Sequence, residues 1–269
     1  MIGGVVHAAP SAAPLAASAP SQGKASSFAV LADTAVTCTD SIITGDVGVF
    51  PGTAITQTNC DITGTVHAGD GVAKQAMQAF LAEYDRLAAM TCDETLTGTL
   101  AGVTLEPGVY CFDAAAVLTG VLTLDGPANG TWIFKVGTSG TGALTGTNFS
   151  VVMAGGGVPC NVTWWVAEAA TLTDSDFVGT ILAGAAITIT RGNFYGDAFA
   201  KAAVTMTGAN VVGCGGGTGN GGGSKCNQGV GNGPENCDPG NSNQGDPARS
   251  NDELGGTPGD PGRKGGNGK

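Results

Sequence analysis

The sequence predicts a β-solenoid with one α-helix packed alongside, and three observations carry that prediction. Three segments align without gaps at one constant, short spacing: Thr171-Leu172-Thr173…Phe177-Val178-Gly179, Thr188-Ile189-Thr190…Phe194-Tyr195-Gly196 and Thr205-Met206-Thr207…Val211-Val212-Gly213. A period this short leaves room for one turn of a solenoid and little else. Elsewhere, short apolar runs are broken at close intervals by Gly, Pro and Asn, as strands joined by tight turns require. Finally, the apolar period changes to that of a helix over about residues 70–89.

Along the chain, the stretch 1–24 comes first and is rich in Ala and Pro. It lacks a basic n-region and reads as a leader or as the tail of a signal peptide, with Val6-His7-Ala8 as a small-residue cleavage site. Strand patterning begins at Ser27-Phe28-Ala29-Val30-Leu31-Ala32. It continues through Ile42-Ile43-Thr44-Gly45-Asp46-Val47-Gly48 and Ile62-Thr63-Gly64-Thr65-Val66. Then Ala73, Met77, Phe80, Leu81, Tyr84, Leu87 and Ala88 recur at intervals of three and four. Lys74, Gln75, Gln78, Glu83, Asp85 and Arg86 fill the other side, so this amphipathic helix should cover a flank of the solenoid.

Strands resume at Leu96-Thr97-Gly98-Thr99-Leu100 and run to about Gly213. Phe149 precedes Phe177 by well over one period, which predicts one additional partial turn around Gly155-Gly156-Gly157. Beyond Cys214 the composition shifts to Gly, Asn, Pro and Asp. Residues 215–269 are therefore expected to be a flexible appendage, leaving 25–214 as the solenoid domain.

Within a strand, residues i and i+2 share a face. Leu172, Ile189 and Met206 then line an apolar interior, while both threonines of each Thr-x-Thr look outward. Thr171, Thr173, Thr188, Thr190, Thr205 and Thr207 form a double file, which Thr145 and Thr147 extend with a small offset. Trp164 and Trp165 point to opposite sides of one strand, one into the core and the other to the surface or the helix.

Composition removes several function classes. Between Lys24 and Cys214 stand six basic and sixteen acidic side chains, a surface that repels phosphate backbones, so no nucleic-acid partner is expected. No apolar run approaches the roughly 20 residues of a membrane span. Eight cysteines, an even number, point to an oxidising, extracellular compartment. With no CxxC pair and two histidines, no zinc or other metal site and no cofactor are expected. Stacking of turns favours Cys38–Cys60 and Cys92–Cys111. Cys160 reaches Cys214 if the last turn packs beside its strand or the chain folds back, and Cys226–Cys237 then closes a small loop in the tail.

Other chemistries find weak support. His67 has no Gly-x-Ser-x-Gly motif to serve, and no catalytic residues are assigned. Asp174 and Asp176 could be the paired carboxylates of a polysaccharide-cleaving solenoid, but their spacing and the Arg191 and Asn193 of the next turn place them on a corner. Gly215-Gly216-Gly217 and Gly221-Gly222-Gly223 open no helix and read as linker rather than phosphate loop. Asp238, Asn241, Asn243 and Asp246 lack the bidentate Glu of a calcium loop and read as solvated linker.

The ordered motifs resemble those of the ice-binding-like family of microbial proteins. They are Ser26-Ser27-Phe28-Ala29-Val30-Leu31-Ala32, the run from Ile43 to Ile55, Gly64-Thr65-Val66-His67-Ala68 and Leu105-Glu106-Pro107-Gly108-Val109-Tyr110. Trp132-Ile133-Phe134-Lys135-Val136-Gly137, Cys160-Asn161-Val162-Thr163-Trp164-Trp165-Val166 and Phe177-Val178-Gly179-Thr180-Ile181-Leu182-Ala183 follow in order. The resemblance implies a discontinuous right-handed parallel β-solenoid and adsorption to an ice crystal surface through a flat face. The eight threonines of the double file are the expected ice-binding residues, on a non-enzymatic, secreted, monomeric protein. An alternative solenoid face lies around Thr180, and an alternative role is that of a non-catalytic extracellular structural or adhesion module.

Overall fold

The computed structural model describes residues 23–215. Its strands pair in parallel to form two sheets, with the helix Gly71–Ala88 alongside. One sheet runs, in spatial order, through Val66–Ala68, Asp46–Val49, Phe28–Ala32, Ala198–Ala200, Thr180–Ala183, Val162–Val166, Trp132–Val136, Gly108–Phe112 and Glu94–Thr95. The other runs through Ala54–Thr58, Ala35–Thr39, Val204–Val212, Ile187–Tyr195, Ala170–Val178, Leu144–Ala154, Ala116–Asp125 and Val103–Leu105. Each full turn contributes one strand to each sheet, which is a parallel β-solenoid.

The stack is discontinuous. The chain enters in the middle at Phe28–Ala32 and winds to one end at Val66–Ala68. It then runs along the side as the helix, restarts at the far end at Glu94–Thr95 and winds back. The last turn meets the first: Val30 pairs with Ala198 and Val36 with Val204. Asp70 starts the helix as its N-cap, accepting from the backbone N–H groups of Val72 and Ala73 at 2.9 and 2.8 Å. The second carboxylate oxygen lies 2.7 Å from His67 Nδ1.

The helix covers the first sheet, as its amphipathic pattern requires. Met77, Phe80, Tyr84 and Leu87 pack on Phe28, Leu31, Trp165, Leu182 and Phe199. Polar bonds fix the docking. Tyr84 Oη donates to the Val166 carbonyl at 3.1 Å, and Trp165 Nε1 donates to the Tyr84 carbonyl at 3.0 Å. Lys135, 4 % exposed, donates to the carbonyls of Ala88 and Met90 at the end of the helix. Desolvation holds its ammonium below the usual lysine range. Trp164, on the other side of the same strand, is fully buried in the interior and donates to the Val178 carbonyl.

The second sheet bends. Asn148, Asp174, Arg191 and Gly208 have positive φ in successive turns, and Asp40 and Asn59 hold the same place after Thr39 and Thr58. Asn and Asp tolerate this left-handed conformation through short polar side chains. The bend divides each long strand into two short ones on separate faces, so the solenoid has three sides. Inside two of the corners a buried serine ties turns together. Ser175 Oγ donates to the Thr173 carbonyl and accepts from Phe149 N, and Ser41 Oγ donates to the Thr39 carbonyl and accepts from Ala209 N.

Two sequence expectations meet this register. Thr147 pairs with Thr173 and Ser150 with Asp176, so Phe149 lies beside Ser175 rather than in line with Phe177. The turn holds no additional partial coil, which corrects the first. Its extra residues leave the stack as a loop containing the 3-10 turn Pro159–Asn161, because a solenoid accommodates insertions at corners without breaking strand pairing. The second concerns cysteines: among the described residues, disulfides join Cys38–Cys60 and Cys92–Cys111, as stacking favours, and Cys160–Cys214, the pair that the sequence leaves dependent on how the last turn packs. The Cys226–Cys237 pair and the polar run from Asp238 to Asp246 lie outside the described residues.

Candidate binding face

Of the three sides, the helix covers one. The alternative site around Thr180 falls there: Thr180 is 2 % exposed and donates to Asp197 at 3.1 Å, so it cannot meet a surface ligand. A face that carries alternating side chains in one turn is covered when a helix docks on it, and only the docking reveals which face that is.

The second side begins after the bend and is irregular. Asn193 Nδ2 donates to Asp176 Oδ1 at 2.7 Å and Asn210 Nδ2 to Asn193 Oδ1 at 3.3 Å, a short polar ladder. Val121, Val152, Tyr195 and Ile42 stand exposed around it. Asp174, at the corner, accepts from both Arg191 Nε and Nη2, at 2.6 and 2.8 Å. These bonds and the neighbouring guanidinium charge hold its carboxyl below the usual range. Both aspartates are thus engaged in bonds between turns at the corner where the sequence places them.

The third side is the Thr-x-Thr side. Thr145 pairs with Thr171 and Thr147 with Thr173, with no offset, which corrects the expectation of one. Thr171, Thr188 and Thr205 align in one file, and Thr173, Thr190 and Thr207 in the other. Beneath them Leu172, Ile189 and Met206 are buried at 1, 2 and 0 % exposure. All eight threonines that the sequence singles out therefore lie on one face, side by side.

The face is larger than that. Thr205 pairs with Thr37 and Thr207 with Thr39, which pair in turn with Thr56 and Thr58. Six rows of two threonines stand in unbroken register. With ~4.8 Å between strands and ~7 Å between i and i+2, the grid spans about 24 by 7 Å. Every one of the twelve is half-buried or exposed. Their hydroxyls are left to solvent by the side-chain hydrogen bonds among the described residues. The grid ends at Val117, 57 % exposed, which pairs with Thr145 where a threonine would continue the file.

Thr37-Cys38-Thr39 and Thr56-Gln57-Thr58 are legible in the sequence as two further Thr-x-Thr segments, one turn apart. Their place in the grid is not, because nothing local says that the first turn stacks on the last. β-Branching stiffens each threonine at χ1, so the array of methyls and hydroxyls is ordered before any ligand arrives. The face carries no charged side chain; the charges of Asp174, Arg191 and Asp40 sit on its rim. Among the described residues no group of three or more His, Cys, Asp or Glu is placed to hold a metal ion. No described helix is long and apolar enough to cross a membrane.

A model of the family described as "Ice-binding-like" matches residues 30–212. The chain belongs to the ice-binding-like family. An ice-binding protein of Nostoc sp. (strain HG1) is 41 % identical over 178 residues, covering 64 % of this chain and 65 % of that protein. The crystal structure of an ice-binding protein from an Antarctic biological consortium superposes with a TM-score of 0.71 at 31 % identity, covering 77 % of this chain and 96 % of that one. That of the Antarctic ascomycete Antarctomyces psychrotrophicus gives a TM-score of 0.68 at 33 % identity, covering 72 and 98 %. Within this ice-binding-like fold, the Thr side of the described residues repeats the same pair of threonines in register over six turns.

Proposed function

We propose that this protein adsorbs to ice through its Thr-x-Thr face and thereby inhibits ice growth or recrystallisation. One observation carries the reading: six stacked turns present Thr-x-Thr in unbroken register on a side whose outward positions carry no charge. Methyl groups offer apolar contact, and hydroxyls at fixed spacing hold water in a lattice-like layer. Rigidity matters because an array ordered beforehand loses little conformational entropy on adsorption. No single contact has to be strong when many act on one plane.

The protein acts as a surface binder rather than an enzyme, a reading supported by the engagement of Asp174, Asp176 and His67 in bonds within the fold. Three disulfides support action in an oxidising extracellular setting, and a monomer suffices because the whole face lies on one chain. The test is Thr188→Tyr at the centre of the grid, assayed by thermal hysteresis and ice recrystallisation inhibition. Loss of most activity in a protein that keeps its circular dichroism and unfolding midpoint is expected. Wild-type activity in the folded variant would place ice binding elsewhere. Absence of any ice activity in the wild-type chain would favour a structural or adhesive module of the same fold.

A further inference from the structure

The two ends of a solenoid are its weakest places, since a terminal turn has a neighbour on one side only. On the Thr side the terminal row is Thr56–Thr58, on the strand Ala54–Thr58. In the inward file of this side, Leu172, Ile189, Met206 and Cys38 pair in succession, and the next position is Gln57. Gln57 is exposed, so the end row has no apolar side chain anchoring it at that point. Ile55 is only partly buried against the core. Across the corner, Asn59 Nδ2 donates to Asp40 Oδ1 at 2.8 Å, a solvent-exposed bond. Beyond the backbone ladder to Ala35–Thr39, continued by the Asp40 N–H to the Thr58 carbonyl at 2.9 Å, the remaining side-chain tie is covalent. Cys38 stands between Thr37 and Thr39, fully buried, and is bonded to Cys60, two residues beyond Thr58.

We propose that the Cys38–Cys60 disulfide is a positioning element of the Thr face: it holds the Thr56–Thr58 row in register, and without it the grid shortens from six rows to five while the solenoid stays folded. The proposal rests on the ice-binding reading for its functional consequence but not for its structural one. The bond ties the end row to the inward file at the turn where full burial of apolar side chains gives way to the partial burial of Ile55 and Ile62. It also limits the freedom of the loop closed by the two cysteines, which stand 22 positions apart, in the unfolded chain.

The experiment compares the full chain with Cys38→Ala/Cys60→Ala, with Thr56→Lys/Thr58→Lys, and with the four changes combined. Lysines suit an edge strand, so the second variant removes the row's surface without unfolding it. Hydrogen exchange is expected to lose protection over residues 54–62 in the cysteine variant and to stay unchanged over 170–212. Its thermal hysteresis is expected to fall to the level of the lysine variant, with the combined variant no lower. Full protection of 54–62, wild-type hysteresis, or a combined loss equal to both single losses added would each overturn the proposal. Cys38→Val/Cys60→Ala refills the buried volume, and global unfolding of both cysteine variants would also overturn it. If Thr188→Tyr keeps its hysteresis, the ice reading fails and the exchange result alone decides this proposal. If Thr188→Tyr loses activity and the cysteine variant does not, only this proposal fails.

Discussion

At Asp174 and Arg191 two residues share the left-handed corner position of adjacent turns, at φ of 50 and 57°, where arginine is unusual. A bidentate ion pair keeps both in place and borders the Thr face without intruding on it. Because the folded-state pKa of Asp174 is depressed, its stabilisation is fully present above the ordinary value of 3.8 and is lost as pH falls through the lower folded value. Asp174→Asn is therefore expected to lower the unfolding midpoint at neutral pH. The difference from wild type should shrink as the pH is taken below 3.8, in thermal melts at fixed ionic strength. A difference that grew with acid would contradict the assignment. Asn193 and Asn210 continue the same inter-turn bonding without a titratable group.

Among the elements, the helix and the Thr side have separate roles. Trp165 is 8 % exposed, stacks obliquely on Tyr84 at 5.1 Å between ring centroids, and bonds to the helix backbone. Trp165→Ala removes a large buried side chain and is expected to cost about 3–5 kcal/mol of folding stability. Near 0 °C the variant should remain folded with nearly unchanged ice recrystallisation inhibition, since the Thr side faces away from the helix. Denaturant melts and ice assays on the same sample would separate the two. The amphipathic pattern between Ala73 and Ala88 is sufficient to place this helix, because an apolar stripe on a helix must be buried somewhere. Which flank it buries depends on Trp165, Phe199 and Leu182, which lie in strands far along the chain.

Across the full chain, entry to and exit from the stack fall at the same place. Ser26 and Gly215 lie in contact, and Cys214, fixed by its bond to Cys160, donates its backbone N–H to Asp197 at 2.8 Å. Among the described residues, the last strand of either sheet ends at Val212. A chain ending at residue 215 should therefore retain both its unfolding midpoint and its ice activity. Differential scanning calorimetry and thermal hysteresis of the truncated and full chains would check this. A large drop in either would mean that residues 216–269 contribute to the folded unit or to the face.

Local pattern is enough to establish the repeat, the inside and outside of each repeated strand and the helix, and it favours two disulfide pairings, Cys38–Cys60 and Cys92–Cys111. These follow from sequence period and from the short distance between stacked turns, whereas Cys160–Cys214 depends on how the last turn packs. Thr171, Thr188 and Thr205 can be aligned by inspection because adjacent turns are also adjacent in sequence. Other features exist only once the chain has packed. The helix carries the chain past the whole stack, so Thr37 from the first turn comes to rest on Thr205 from the last, and the grid grows by two rows. The same packing leaves Thr180 beneath the helix while Thr-x-Thr stays open to solvent. Both outcomes depend on long-range burial of apolar faces, which a local pattern requires to be covered without saying by what.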